Sequence, residues 1–454
     1  MKKLIVLVLI LLLCIVPVCA NATLWYVDNA ASGTNAGTSW TNAWESFADI
    51  TWGVGGVVAG DTLYISGGAS SQTYNETLTI GASGEESNRI TIQNGQDANH
   101  TGTVVIDAQN SRTRCIYVAD YDYLTIDGFT LTDAPGTGTS AGIELYRSDY
   151  VTLQNLTITE FRRYGIMVNG YTPNYCNEIK LLDSTIENED GTYNYQTDNV
   201  YVQYTIGFEM GRNTIVHNYN GYSDQHADAF QANFIDGVFD LHDNWVETAG
   251  ASGAGVNNNN WIMGYLDGTI RIWNNVVLGS EGAVFHAMQI RGNDSGYSNT
   301  LEMYNNYVEA RYSNQYAVEI NGPTNTFKNN IFVGINYTLI YFGNGVTTPA
   351  NIDYNIYYRS SGTTIAADPS GKTWAAWQSA GYDANGYNVD PSLDAGYAPD
   401  DSGDPTVDTG TSISGTFTDD KDQVTRPQGN EWDIGAYEFE GIAPALSIQG
   451  VSIQ

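Results

Sequence analysis

The chain has five histidines, and two of them, His226 and His286, fall with Asp198 and Asp228 on one edge of a repeated strand face. The phrase Asp224-Gln225-His226-Ala227-Asp228-Ala229-Phe230-Gln231 sets two carboxylates and an imidazole around one turn. Asp198 occupies the place of Asp228 one repeat earlier, so about 5 Å separates their Cα atoms if repeats stack as neighbouring strands. Adjacent carboxylates share a proton for acid–base work, act as a nucleophile and acid pair, or hold a calcium ion. Asp198, Asp224 and Asp228 offer hard oxygen ligands, with Asp224 the metal candidate. An aspartate capping a tight turn needs none of this chemistry. At neutral pH, His286 or His226 is a better base than an arginine, which stays protonated.

These residues precede or occupy short strands that align as Gly142-Ile-Glu-Leu-Tyr, Gly165-Ile-Met-Val-Asn, Asn199-Val-Tyr-Val-Gln, Ala229-Phe-Gln-Ala-Asn, Trp261-Ile-Met-Gly-Tyr, Ala287-Met-Gln-Ile-Arg and Ala317-Val-Glu-Ile-Asn. Side chains alternate across a strand, so the third and fifth members share the outer face. The third column reads Glu144, Met167, Tyr201, Gln231, Met263, Gln289, Glu319, and the fifth Tyr146, Asn169, Gln203, Asn233, Tyr265, Arg291, Asn321. The residue before each set is Ala141, Tyr164, Asp198, Asp228, Asn260, His286 or Tyr316. A face rich in amides and tyrosines supplies hydroxyl partners and flat stacking surfaces for sugars. It predicts Arg163, Asn169, Gln203, Gln231, Asn233, Gln289 and Glu319 as substrate-binding residues, beside Asp198, Asp228, His226, His286 and Arg291 as catalytic ones. Arg112, Arg114, Arg147, Arg162, Arg163, Arg291 and Arg311 fall in or beside first strands. An arginine stripe on an acidic protein makes a seat for carboxylates or sulfates of a polymer; pairing with neighbouring Asp and Glu is an equally good use.

The element that positions these columns is itself repeated. Eight-residue stretches recur as apolar-x-apolar-x-Asn/Asp-x-x-apolar, as in VTLQNLTI from Val151, IRIWNNVV from Ile270 and LEMYNNYV from Leu301. Their fifth positions are Gly128, Asn155, Asp183, Arg212, Asp243, Asn274, Asn305, Asn329 and Asn355, spaced by 24 to 31 residues. A period in that range built from alternating strands predicts a solenoid, in which each unit buries its apolar residues only against the next. Asn, Asp and Gly fit the turn because they tolerate left-handed backbone, and stacked Asn amides bond along the axis.

The sequence carries 51 Asp and Glu against 18 Lys and Arg, a net charge of −33. Such a surface repels nucleic acid and anionic membranes. Lys2 and Lys3, an apolar run from Leu4 to Val16 and the small-residue site Ala20-Asn21-Ala22 read as an export signal cleaved before Thr23. A secreted or cell-surface monomer is expected, and nothing later approaches the roughly 20 apolar residues of a membrane span. Cys115 and Cys176 fall two repeats apart, roughly 10 Å, too far for a disulfide.

Residues 1–22 are thus the signal, 23–358 the solenoid with its N-terminal cap, 359–440 an irregular C-terminal cover and 441–454 a tail ending in LSIQ and VSIQ. Trp40, Trp44, Phe47 and Ala48 lie at helical spacing, which predicts a short capping helix over Thr41–Ala48, and a second helix is expected over Trp374–Ala380.

The opening WYVDNAASGTNAGTSW, then GDTLYISGG and ITIQNG, resembles the start of secreted right-handed parallel β-helix proteins of the pectate lyase-like superfamily. Trp377-Gln378-x-x-Gly381-Tyr382-Asp383 with Asp390-Pro391 resembles their C-terminal cover, and Asp433-Ile434-Gly435-Ala436-Tyr437-Glu438 a closing element of bacterial surface members. The resemblance spans nearly all of residues 25–439. It implies an all-β, right-handed parallel β-helix solenoid with an N-terminal helical cap and an irregular C-terminal cover. It also implies an extracellular polysaccharide as partner.

Three functions fit these residues. A polysaccharide lyase would use Arg291 or calcium to neutralise a uronate carboxylate while His286 or His226 removes the C5 proton. Resemblance to pectate lyases would nominate an arginine as base, but the chain lacks their recognisable motif. A glycoside hydrolase would use Asp198 and Asp228, although the full polygalacturonase motif set is missing. A non-catalytic glycan-binding adhesin would suit the closing element.

Overall fold

The alternation read from sequence is realised as strands whose inner residues fill a continuous core. Ile143 and Leu145, Ile166 and Val168, Val200 and Val202, Phe230 and Ala232, Met288 and Ile290, and Val318 and Ile320 are all buried, one pair per coil. The computed structural model describes residues 22–188, 197–218, 226–249, 257–279, 286–291, 299–321, 324–343, 351–368 and 370–441. The fold is a right-handed parallel β-helix. Among the described residues, the first and second strands of successive coils merge into a 22-stranded sheet, and the third strands form an 11-stranded sheet. Asp198–Gly211 and His226–His242 run unbroken through the corner that separates first from second strands elsewhere.

The repeating turn residues do line up. Gly128, Asn155, Asp183, Arg212, Asp243, Asn274, Asn305 and Asn329 all have positive φ, between 51° and 85°. The ninth expected member, Asn355, does not belong there: Tyr354 takes the left-handed place with φ 60°. Asn355 instead joins a second column, one residue further on, which forms the internal ladder. There the backbone N–H of Asn213 donates to Asn244 Oδ1 (3.0 Å), that of Asn244 to Asn275 Oδ1 (3.0 Å), that of Asn275 to Asn306 Oδ1 (3.0 Å) and that of Asn306 to Asn330 Oδ1 (3.1 Å). Asn330 continues to Asn355 and Asn355 to Asp383. Each side-chain amide repeats the step, as Asn244 Nδ2 to Asn275 Oδ1 (2.9 Å), and also closes a carbonyl of the preceding coil, Met210 O at 2.8 Å. Buried amides satisfied at every donor and acceptor fix the rise of each coil on the next.

Both ends of the core are covered, one of them differently from expectation. The helix expected over Thr41–Ala48 does not form. Trp44 N–H donates to Tyr26 O at 2.9 Å and its carbonyl accepts from Asp28 N at 2.8 Å, so this residue pairs with the strand Leu24–Val27. Asn35 Oδ1 holds Glu45 N at 2.8 Å, and only a 3₁₀ turn at Phe47–Asp49 remains. Trp44 stacks on Trp25 and Phe47 on Tyr74, closing the end without a helix.

At the other end the expected helix is present as Trp374–Ser379, capped by Thr373. Buried Trp377 donates to Asp383 Oδ2 at 2.8 Å, so the last member of the ladder also fastens the cover. The solenoid extends past Tyr358, since Thr364–Asp368 still pairs parallel with Ile340–Phe342. Beyond it the chain turns back along the side of the coils, where Asn274, Asn305 and Asn329 donate to Asp419 O, Asp433 O and Thr411 O. Arg426 and Glu438 pair there with no exposed side-chain surface. Cys115 and Cys176 are free and buried, and burial pushes their thiols up to about 12 and about 11.

Candidate functional site

Eight first strands carry the face of interest: β1 (Arg114–Ala119), β2 (Ala141–Tyr146), β3 (Tyr164–Asn169), β4 (Asp198–Gly211), β5 (His226–His242), β6 (Asn257–Leu266), β7 (His286–Arg291) and β8 (Tyr316–Asn321). Neighbours pair in parallel along the whole series. The expected columns hold in six of the seven aligned sets. The exception is β6, where Gln231 pairs with Ile262 and Asn233 with Gly264. Met263 and Tyr265 therefore leave the third and fifth columns, and the register aligns Asn259, not Asn260, with Asp228. A one-residue slip moves every side chain to the other face, and buried Trp261 shows which register the core accepts.

Contacts cross the face on a repeated diagonal, from the first position of one coil to the third column of the next. Arg114 Nε pairs with Glu144 Oε2, the Tyr164 ring stacks on Tyr201 at 5.1 Å, and His286 Nε2 pairs with Glu319 Oε2. Glu144 Oε1 also accepts from Asn169 Nδ2 (3.1 Å), whose Oδ1 accepts from Gln203 Nε2 (2.6 Å); the Tyr201 hydroxyl donates to Gln203 Oε1 (3.0 Å). Burial, with the nearby Tyr164 and Asp198, pushes the Tyr201 phenol up to about 12.

Asp198 and Asp228 stand side by side as expected, but neither exposes any surface. Asp198 Oδ1 accepts the backbone N–H of Asp228 at 3.0 Å, which gives that oxygen a turn-stabilising duty like those of the asparagine ladder. The two are thus not open to solvent, contrary to the groove expected from sequence. Gln289 is 3% and His286 9% exposed. His286 lies two strands from Asp228, roughly 10 Å along the axis, with its ring stacked on Tyr316 at 5.6 Å and 7°. Asn169, Gln203, Gln231, Asn233 and Glu319 keep their columns. Arg291 keeps its register on β7. Its side chain, the side chains of His226 and Asn321, and the whole of Asp224 lie outside the described residues.

The arginine stripe is largely neutralised. Arg114 is paired with Glu144, Arg147 with Asp120, and Arg311 with Glu247 and Glu309. Arg311 follows the strand Tyr307–Ala310 of the 11-stranded sheet, away from the first-strand face. Arg112 donates to Gln109 Oε1. Arg163, just before β3, lies over the Tyr164 ring at 5.1 Å and donates to its hydroxyl at 3.3 Å. The ion-pair partners across coils lie 27 or more residues apart, beyond any local sequence pattern.

Calcium takes six to eight oxygens. Among the described residues no three His, Cys, Asp or Glu side chains gather into a set that would hold a metal ion. Asp198 and Asp228 contribute two carboxylates, one of whose oxygens is already committed to a backbone amide.

Sequence reading missed a charged cluster on the second strands. His242 stacks on Trp273 (4.5 Å) and bonds Asp243 Oδ2 (2.7 Å) and Glu209 Oε1 (3.4 Å), while Lys180 pairs with Glu209. Burial opposes the charged imidazole, but the two carboxylates outweigh it and raise its pKa to about 9. The same His242 bond, against burial, holds Glu209 down to about 2. A histidine raised above its unfolded value of 6.5 stabilises fully below pH 6.5 and loses that contribution as pH rises through 9. His242→Gln should therefore abolish an alkaline fall of about 3 kcal/mol between pH 6.5 and 9.5, read from urea midpoints. An identical fall in the variant would place its cause elsewhere.

No protein-family model matches the chain, and no curated protein matches it. Solved structures do. A pectate lyase, Pel9A, is 16% identical and superposes with a TM-score of 0.55 over 92% of this chain and 97% of its own. XylC in complex with xylose is 11% identical with a TM-score of 0.49, covering 91% of this chain and 98% of that one. A lacto-N-biosidase from Eubacterium ramulus is 10% identical with a TM-score of 0.44, covering 81% of this chain and 67% of that one. At such identities the likeness shows the fold alone, a parallel β-helix.

Proposed function

We propose that the protein is an exported carbohydrate-active enzyme that cleaves a uronate-containing polysaccharide by β-elimination along the first-strand face. The observation that carries this reading is β7, where His286, paired with Glu319, and Arg291 occupy one strand. A carboxylate on Nε2 fixes the tautomer and orientation of the imidazole, as a general base requires. In the reaction, His286 takes the C5 proton, the electrons form a C4–C5 double bond, and the glycosidic oxygen leaves with the proton that the imidazolium holds. Arg291, on the same strand, is the candidate to neutralise the uronate carboxylate, which makes C5 acidic. Asp228 and Asp198 supply a second, buried acidic centre two and three strands away, where a uronate carboxylate and Asp224 would have to complete any calcium site. The fold shared with a pectate lyase agrees with this chemistry.

Among the described residues no helix is long and apolar enough to cross a membrane. Cleavage of the signal-like residues 1–22 would leave Thr23 at the N-terminus of a secreted chain, which mass spectrometry checks.

The test is a screen on alginate, pectate, glycosaminoglycans and neutral glucans, with calcium and with chelator, reading unsaturated sugar ends. Turnover of a polyanion with new unsaturated ends is expected, with chelator lowering the rate if calcium takes part. Cleavage without unsaturated ends would replace elimination by hydrolysis at Asp198 and Asp228, and binding without cleavage would make the protein an adhesin.

A further inference from the structure

The corner that follows the first strands β3 to β5 has features that the first-strand face does not use. In the residues directly after the Asn169, Gln203 and Asn233 column, the chain places Gly170, Tyr204 and Phe234. Tyr204 and Phe234 hold φ of 49° and 55°. Bulky residues in the left-handed region cost about 1–2 kcal/mol each, a cost this fold also meets at the coil turns of Arg212 and Tyr354, so the rings and the space between them carry the argument. Their rings stack at 4.6 Å and 3°, and Tyr175 meets Tyr204 edge-on at 6.1 Å and 73°. Tyr175 is carried there by the tight turn that Tyr171 N–H closes onto Asn174 O (2.9 Å). Together with Thr172, Asp236 and Asp267 these rings line a cleft of about 190 Å³, roughly the share of six liquid waters and room for one sugar ring.

We propose that this corner is a second saccharide-binding subsite and that it takes an uncharged sugar unit. Aromatic walls pack the C–H face of a pyranose, and carboxylates accept paired hydroxyls. Asp236 and Asp267 line the cleft without a lysine or arginine among the described lining residues, so a uronate would be repelled there. The cleft borders the amide column, which makes it the rim of the same groove. It rests on the proposed function only in taking the ligand to be a saccharide.

Calorimetry with neutral xylo-, galacto- and gluco-hexasaccharides, and with hexagalacturonate as the charged control, decides it. Wild type should bind at least one neutral hexasaccharide. Tyr175→Ala, on an outlying turn, should weaken that binding tenfold or more, and Asp236→Asn several-fold, while hexagalacturonate binding stays within twofold. His286→Asn should leave neutral binding intact. If no neutral hexasaccharide binds, or Tyr175→Ala binds as wild type does with an unchanged thermal midpoint, the subsite is overturned. If elimination fails for every polyanion while Tyr175-dependent neutral binding persists, the lyase reading falls and the subsite stands.

Discussion

Asn275→Ala is expected to lower the stability of the β-helix by about 3–5 kcal/mol, because it orphans buried groups in two coils at once. Asn275 Oδ1 accepts both the backbone N–H and the side-chain amide of Asn244, at 3.0 and 2.9 Å. Its own amide donates to Leu241 O, Trp273 O and Asn306 Oδ1. Alanine removes every one of these partners where no water reaches, and each unsatisfied buried donor costs about 1–3 kcal/mol. Asn155→Gly is the contrast: it sits at an exposed left-handed position with φ 53°, where glycine is equally at ease, and should change stability by under about 1 kcal/mol. Urea midpoints for the two variants give the comparison. Similar small losses in both would mean that the asparagine ladder follows the coil geometry without enforcing it.

That ladder shows how much of the fold was open to sequence reasoning. The doublets Asn274-Asn275, Asn305-Asn306 and Asn329-Asn330 each combine two duties: the first residue turns the backbone left-handed, the second bonds along the axis. Reading only the first duty put the turn at Asn355 when Tyr354 makes it, since a tyrosine there breaks the residue preference while Asn355 keeps the ladder. The slip at Trp261 has the same origin. Its neighbours offer apolar residues at both parities, Trp261 and Met263 against Ile262 and Gly264, and only the core filled by Phe230 and Met288 selects between them.

The site was legible as columns and not as contacts. Strand alternation placed Glu144, Asn169, Gln203 and Gln289 on one face, but nothing local revealed that Arg114 would be held by Glu144, or Arg147 by Asp120. A histidine one coil from a glutamate, His286 to Glu319, is likewise a pair that only the stacking register reveals. Asp198 shows the converse case. A carboxylate at a strand start reads as chemistry, and sequence does not reveal that its Oδ1 accepts the next coil's backbone N–H, the same use that the chain makes of Asn and Asp at its turns.

His286→Asn is therefore the substitution expected to cost the most activity, on the order of 10²–10⁴-fold in the rate of unsaturated-end formation, the usual range for losing a general base. Asparagine keeps a polar group beside Tyr316 and Glu319 but takes up no proton at neutral pH. Glu319→Gln should cost less, because the imidazole remains and only its orientation is weakened, a loss read in kcat with KM little changed. A Glu319→Gln rate as low as that of His286→Asn would give the carboxylate a part of its own in the chemistry. Asp228→Asn separates the two centres: if His286 is the base, the variant keeps turnover. A loss in Asp228→Asn as deep as in His286→Asn, with His286→Asn products still saturated, would transfer the chemistry to the aspartates.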